Sequence, residues 1–121
     1  MNESPKGNAL VGVARSSSGA ACVRIVGAID IAAANILDDA FARILGSPRP
    51  AVYVDLACID FADATLAHFL YRIVHGLPAG TPVLLCRPTP MTGLLIELCA
   101  LDNVAAVFPA LPADFPEQSP L

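Results

Sequence analysis

The sequence predicts an α/β domain in which a mostly parallel sheet of four or five strands, opened by a β-hairpin, carries helices packed on it. Three observations predict it. Short apolar runs rich in β-formers alternate with stretches whose apolar residues recur every three or four positions. The first two extended runs are separated only by the turn Ser16-Ser17-Ser18-Gly19. The length of 121 residues, 55% of them apolar and 15% charged, suits a single buried core.

The elements follow in order. Residues 1–8 are polar with Pro5 and read as a flexible N-terminal tail. A first strand over Leu10–Ala14, the serine turn and a second strand over Ala21–Val26 form the hairpin, and Gly27 is expected to end it. From Asp30 the period changes: Ile36, Leu37, Ala40, Phe41, Ile44 and Leu45 make an amphipathic stripe that stops at Gly46 and Pro48. Val52–Leu56 is a short run expected to be buried on both faces, hence central and parallel. Asp63 then precedes a second stripe, Leu66, Phe69, Leu70, Ile73 and Val74, closed by Gly76 and Pro78. Pro82–Cys86 gives another strand. Thr89-Pro90 starts a third helix, proline fitting its first turn, and Val104–Phe108 gives a last strand. Right-handed crossovers complete a β-β-α-β-α-β-α-β chain over residues 9–110, with 111–121 a Pro-rich C-terminal tail.

Composition narrows function. The seven basic residues are scattered against eleven acidic ones, for a net charge of −4, so direct nucleic-acid binding is not expected. The N-terminus lacks an apolar h-region, and no apolar run reaches the ~20 residues of a membrane span, so no membrane insertion and a cytoplasmic location are expected. Cys22, Cys58, Cys86 and Cys99 form no Cys-x-x-Cys pair and read as thiols buried as small hydrophobes. Glycine-rich phosphate-binding spacings are absent, and no serine stands where a histidine base is expected. His68 and His75 are seven apart on the second helix with no third ligand nearby in sequence, which favours solvated side chains over a metal site. No catalytic residue, cofactor or metal is assigned.

The acidic residues Asp30, Asp55, Asp60 and Asp63 fall in or just after successive strands, where ligand sites of open α/β sheets gather and Mg²⁺ would have oxygen donors. The preferred alternative is that Asp30 and Asp63 cap helix N-termini. Asp55, inside an apolar strand, needs a hydrogen-bonding partner that the sequence does not name.

Three landmarks over Ala21–Phe108 resemble the STAS family, whose best-known members are bacterial anti-sigma factor antagonists. They are Arg24-Ile25-Val26-Gly27-Ala28-Ile29-Asp30, similar to a strand ending in Gly-x-Leu-Asp; Val52–Leu56 followed by Asp63-Ala64-Thr65-Leu66, similar to the Asp-Ser-Ser/Thr-Gly-Leu helix start; and Thr89-Pro90 with Leu94, Leu98 and Leu101, similar to the Ser/Thr-Pro helix with its Leu-x-x-x-Gly-Leu end. The resemblance implies an interaction domain that is not an enzyme. Its partner would be an anti-sigma factor of the serine-kinase type, whose capture frees a sigma factor and so regulates transcription. It assigns the partner surface to Asp30, Asp63, Ala64, Thr65 and His68. Three positions depart from the pattern: Ala64 stands at the phosphoacceptor serine, Leu66 at the helix-start glycine, and Ala100 at the glycine before Leu101. Without a hydroxyl at 64 the family's phosphorylation switch has no acceptor. The alternatives are an accessory subunit of a lipid-transport ATPase and a ligand- or redox-sensing module. For the last, Cys58 and Cys86 follow adjacent parallel strands and form a candidate redox pair, provided their Cα atoms come within about 7 Å.

Overall fold

The computed structural model describes residues 9–116; the expected N-terminal tail and the last five residues lie outside that range. The chain runs β1 (Leu10–Arg15), β2 (Ala21–Ile29), a 3₁₀ turn (Ile31–Ala33), α1 (Ala34–Leu45), β3 (Val52–Ala62), α2 (Ala64–Gly76), β4 (Val83–Cys86), α3 (Pro90–Leu98), a second 3₁₀ turn (Leu101–Asn103) and β5 (Ala106–Phe108). The strands form one sheet in sequence order, with β1 antiparallel to β2 and the other pairs parallel. This is the predicted α/β architecture.

Alternation along the strands sorts the two sheet faces. Ala21, Val23 and Ile25 of β2, Val52, Val54 and Leu56 of β3, and Val83 and Leu85 of β4 join one buried cluster with Leu37, Ala40 and Ile44 of α1, Leu66, Phe69, Leu70 and Ile73 of α2, and Ile96 of α3. All three helices therefore cover the same face. A chain that steps across the sheet in one direction by right-handed crossovers places them that way.

Two strands exceed their expected ends. Gly27 does not stop β2; it adopts φ +98, and the β2–β3 register shifts on both sides of it, between Arg24 and Val26 and between Gly27 and Ala28. Glycine tolerates the positive φ that lets the strand pass the irregularity and continue to Ile29. β3 likewise continues through Cys58-Ile59-Asp60 to Ala62, pairing Ile59 with Gly27 and Phe61 with Ala28.

The segment after β5, expected as a tail from residue 111, folds back through residue 116 onto the helix-free face. Phe115 is only 7% exposed, and the Arg24 guanidinium carbon lies 5.2 Å from its ring centroid. Ser18 Oγ donates to Asp114 Oδ2 at 2.7 Å. A cation on an aromatic face and one hydrogen bond thus fasten the strap to the hairpin, a tertiary contact that proline content alone does not reveal.

Candidate functional site

The ends of β2 and β3 bring two helix starts together. Asp30 caps the first 3₁₀ turn, accepting from the Ala32 N–H at 3.0 Å, and Asp63 caps α2, accepting from the Thr65 N–H at 2.8 Å. Both have extended backbone at the cap, the geometry in which a carboxylate satisfies an otherwise orphan N–H. The Asp63 N–H donates to the Ile29 carbonyl at 3.3 Å, tying the two turns side by side. Asp60, on β3, is exposed. Among the described residues no three His, Cys, Asp or Glu side chains come together in a way that could hold a metal ion.

Between the two helix starts lies a groove of about 300 Å³. Ile31, Ala34 and Leu37 form one wall, and Ala64, Thr65 and His68 the other. Phe69 closes the floor, while Asp38 and Arg72 bridge one end through a 2.6 Å ion pair. The Arg72 guanidinium also lies 4.2 Å from the Phe41 ring centroid, which holds it over α1. The groove is mostly apolar, and Ile31 on its wall is 78% exposed. Large hydrophobes left this open beside a concavity mark an interaction surface more often than a catalytic one.

The structure brings Ala64, Thr65 and His68 together on this groove and sets Asp30 and Asp63 at the heads of its two walls. Ala64 and His68 are exposed, Thr65 half-buried, and Leu66 fully buried in the core. His75, one helix turn beyond the groove, is also exposed and stacks on Tyr71 at 5.6 Å between centroids.

Cys58 and Cys86 are not brought together. Both are free thiols, Cys58 exposed and Cys86 buried. The register pairs Cys86 with Asp55, and Cys58 lies three residues further along β3, opposite Val26 of β2. Three residues of strand span about 10 Å, beyond the reach of a disulfide. Burial, with Asp55 nearby, also pushes the Cys86 thiol up to about 11, so little reactive thiolate exists there near neutrality.

The partners of Asp55 are the feature sequence reasoning missed. Asp55 is 1% exposed on the helix-free face of β3 and accepts four hydrogen bonds. Arg24 Nε donates to Oδ2 at 3.1 Å, Arg87 Nε to Oδ1 at 3.1 Å, Arg87 Nη2 to Oδ2 at 2.7 Å, and the Ala57 N–H to Oδ1 at 3.2 Å. Arg87 reaches back from the end of β4 through a left-handed backbone, φ +55, its N–H bonded to the Phe108 carbonyl at 2.8 Å. A usable signal existed: Arg24 and Arg87 are the arginines within or immediately after the strands predicted to flank Asp55.

A family model for the STAS domain matches residues 13–113. Among solved structures, the chain is similar to an anti-sigma factor antagonist from Mycobacterium paratuberculosis, with 23% identity, a TM-score of 0.81, and coverage of 90% of this chain and 92% of that one. It is also similar to the anti-sigma factor antagonist SpoIIAA in its unphosphorylated form, with 14% identity, a TM-score of 0.69, and coverage of 81% and 87%. No curated protein matches the sequence.

Proposed function

The chain belongs to the STAS domain family, and from that premise we propose that it is an anti-sigma factor antagonist, a binding protein that occupies an anti-sigma factor of the serine-kinase type and thereby releases a sigma factor. The observation that carries this reading is the apolar groove between the two helix starts, which gathers Ala64, Thr65 and His68 beneath the caps Asp30 and Asp63. A partner seated there covers Ile31, whose exposure has no purpose in an isolated domain.

Binding is constitutive with respect to phosphorylation at the helix start. Ala64 supplies no acceptor oxygen. Thr65 lies one residue on, turned by about 100° on the helix, and lines the groove beside Ala64. A kinase bound for the first position meets a methyl group. A carboxylate introduced at 64 supplies bulk and charge beside Asp63 where the partner docks.

The test is capture of the cognate anti-sigma factor from lysate by the tagged chain, followed by a repeat with A64E. The expected result is recovery of an anti-sigma protein by the wild type and its loss with the folded variant. The recovered kinase, incubated with the wild type and ATP, should leave the intact mass unchanged. A stoichiometric gain of about 80 Da on Thr65 that abolishes binding shows instead that the switch has moved by one residue.

A further inference from the structure

The groove and its surroundings specify what kind of surface it accepts. We propose that it seats one aliphatic or aromatic side chain of a partner protein, flanked on the partner by lysine or arginine. This rests on the reading of that face as the partner surface and deepens it.

The size argues for one side chain. About 300 Å³ lies at the lower end of the ~300–1,000 Å³ typical of small-molecule sites, too little for a nucleotide or a large cofactor. The walls owe their separation to Ala34 and Ala64, whose methyl groups leave open the volume that a leucine at either place would occupy. Ile31, on the wall of the groove and 78% exposed, carries the apolar surface outward, so a bulky residue enters and its neighbour still rests on hydrocarbon.

Charge fixes the flanks. Asp38, at the end of the groove, is neutralised by Arg72. Asp30 and Asp63 have no ion-pair partner among the described residues, where the arginines that pair are Arg24 and Arg87 with Asp55 and Arg72 with Asp38. Asp30 and Asp63 each use one carboxylate oxygen for a cap, on Ala32 and Thr65 respectively. Two carboxylates, Asp30 and Asp63, therefore stand at the heads of the two walls of an apolar groove on a chain of net charge −4. Such a rim speeds the approach of a basic surface and rejects an acidic one.

The test uses two probes with the same ring and opposite charge, phenethylammonium and phenylacetate, titrated into the ¹⁵N-labelled full-length chain. Phenethylammonium is expected to shift the amides of Ile31, Thr65 and His68 and to bind at least fivefold more tightly than phenylacetate. The preference should shrink with added salt and vanish in a D30N/D63N variant, in which asparagine keeps both caps. A34L fills the cavity and should weaken phenethylammonium at least tenfold. A64L serves the same purpose at an exposed position where folding is not at stake.

Shifts confined to other surfaces, equal affinity for the two probes, or unchanged binding by A64L would each overturn the proposal. Phenethylammonium binding with the stated preference, combined with failure to recover an anti-sigma protein, would support the chemistry of the groove and sink the antagonist reading. Recovery of an anti-sigma protein whose binding ignores both A64L and the D30N/D63N variant would do the reverse.

Discussion

Asp55→Asn isolates the charge of a side chain at the centre of the sheet. Both carboxylate oxygens are acceptors, Oδ1 for Arg87 Nε and the Ala57 N–H, Oδ2 for Arg87 Nη2 and Arg24 Nε. Whichever way the amide is turned, its NH₂ group faces a guanidinium donor at a distance meant for an acceptor. The substitution also leaves two cations facing each other with no anion between them. Breaking a buried ion pair by removing one partner costs about 3–5 kcal/mol. The arginine side chains are 17% and 39% exposed, so water recovers part of their solvation and the lower end of that range applies, about 3 kcal/mol. For a chain of 121 residues unfolding with about 2.1 cal/mol/K per residue, this lowers Tm by about 12 °C. Urea unfolding and calorimetry of D55N, R87A and the double variant give the cost and the coupling energy. A change in D55N below about 0.5 kcal/mol, with additive single effects, would refute the view that the trio acts as one network.

Other substitutions and conditions test separate links. Ala100 follows α3 in the left-handed region, φ +57 and ψ +28, where an L-residue loses roughly 1–2 kcal/mol. Ala100→Gly should therefore stabilise the chain by about 0.5–1 kcal/mol after glycine's larger unfolded-state entropy is deducted, seen as a higher urea midpoint at unchanged slope. Phe115→Ala removes the ring from Arg24 and should cost about 2 kcal/mol, less than in a central core because the strap has one covered side; unchanged stability would show that the strap does not hold the sheet face. Burial, then Asp114, pushes Cys22 from 9.0 to about 11, and burial, then Asp55, does the same to Cys86. Both thiols are thus harder to ionise folded than unfolded, so their contribution is intact below about pH 9 and is lost as pH rises toward 11. Denaturation at pH 8 and pH 10 should show a loss on the order of 1 kcal/mol per thiol, abolished in C22A/C86A. At the acid end, Ser18 and then Ser16 hold the Asp114 carboxyl below its ordinary 3.8. The strap contact should hold above that value and weaken as pH falls below it, which the chemical shifts of the Phe115 ring will follow.

The sequence makes the order of elements legible because the period of the apolar residues changes sharply at each boundary, from Ile25 to Ile36 and from Leu56 to Leu66. The helix caps were legible for the same local reason: Asp30 and Asp63 act on N–H groups two residues away. What escaped depends on distance along the chain. Arg24 and Arg87 stand 31 and 32 residues from Asp55, and Ser18 lies 96 residues from Asp114, separations at which no spacing pattern operates. The groove was half legible. Its α2 wall came from the resemblance, whereas Ile31, Ala34 and Leu37 join it only because α1 and α2 lie side by side. The extension of β3 past Leu56 was hidden by Cys58 and Asp60, polar or small positions that read as loop until their pairing with β2 is seen.

The sheet is laid down in the order in which the chain is written, β1-β2-β3-β4-β5. Each strand, as it leaves the ribosome, therefore finds its neighbour already made, and no later strand has to be threaded between two earlier ones. A growing chain can fold by accretion, adding one strand and one helix at a time to a stable edge, which limits the exposure of unpaired strands that drives aggregation during synthesis. The closing contact breaks that pattern: Ser18 and Arg24 of the first hairpin receive Asp114 and Phe115 from near the other end of the chain. The hairpin is thus the first element born and the last completed, and a chain cut short before the strap leaves its arginine held by Asp55 alone, without the aromatic cover.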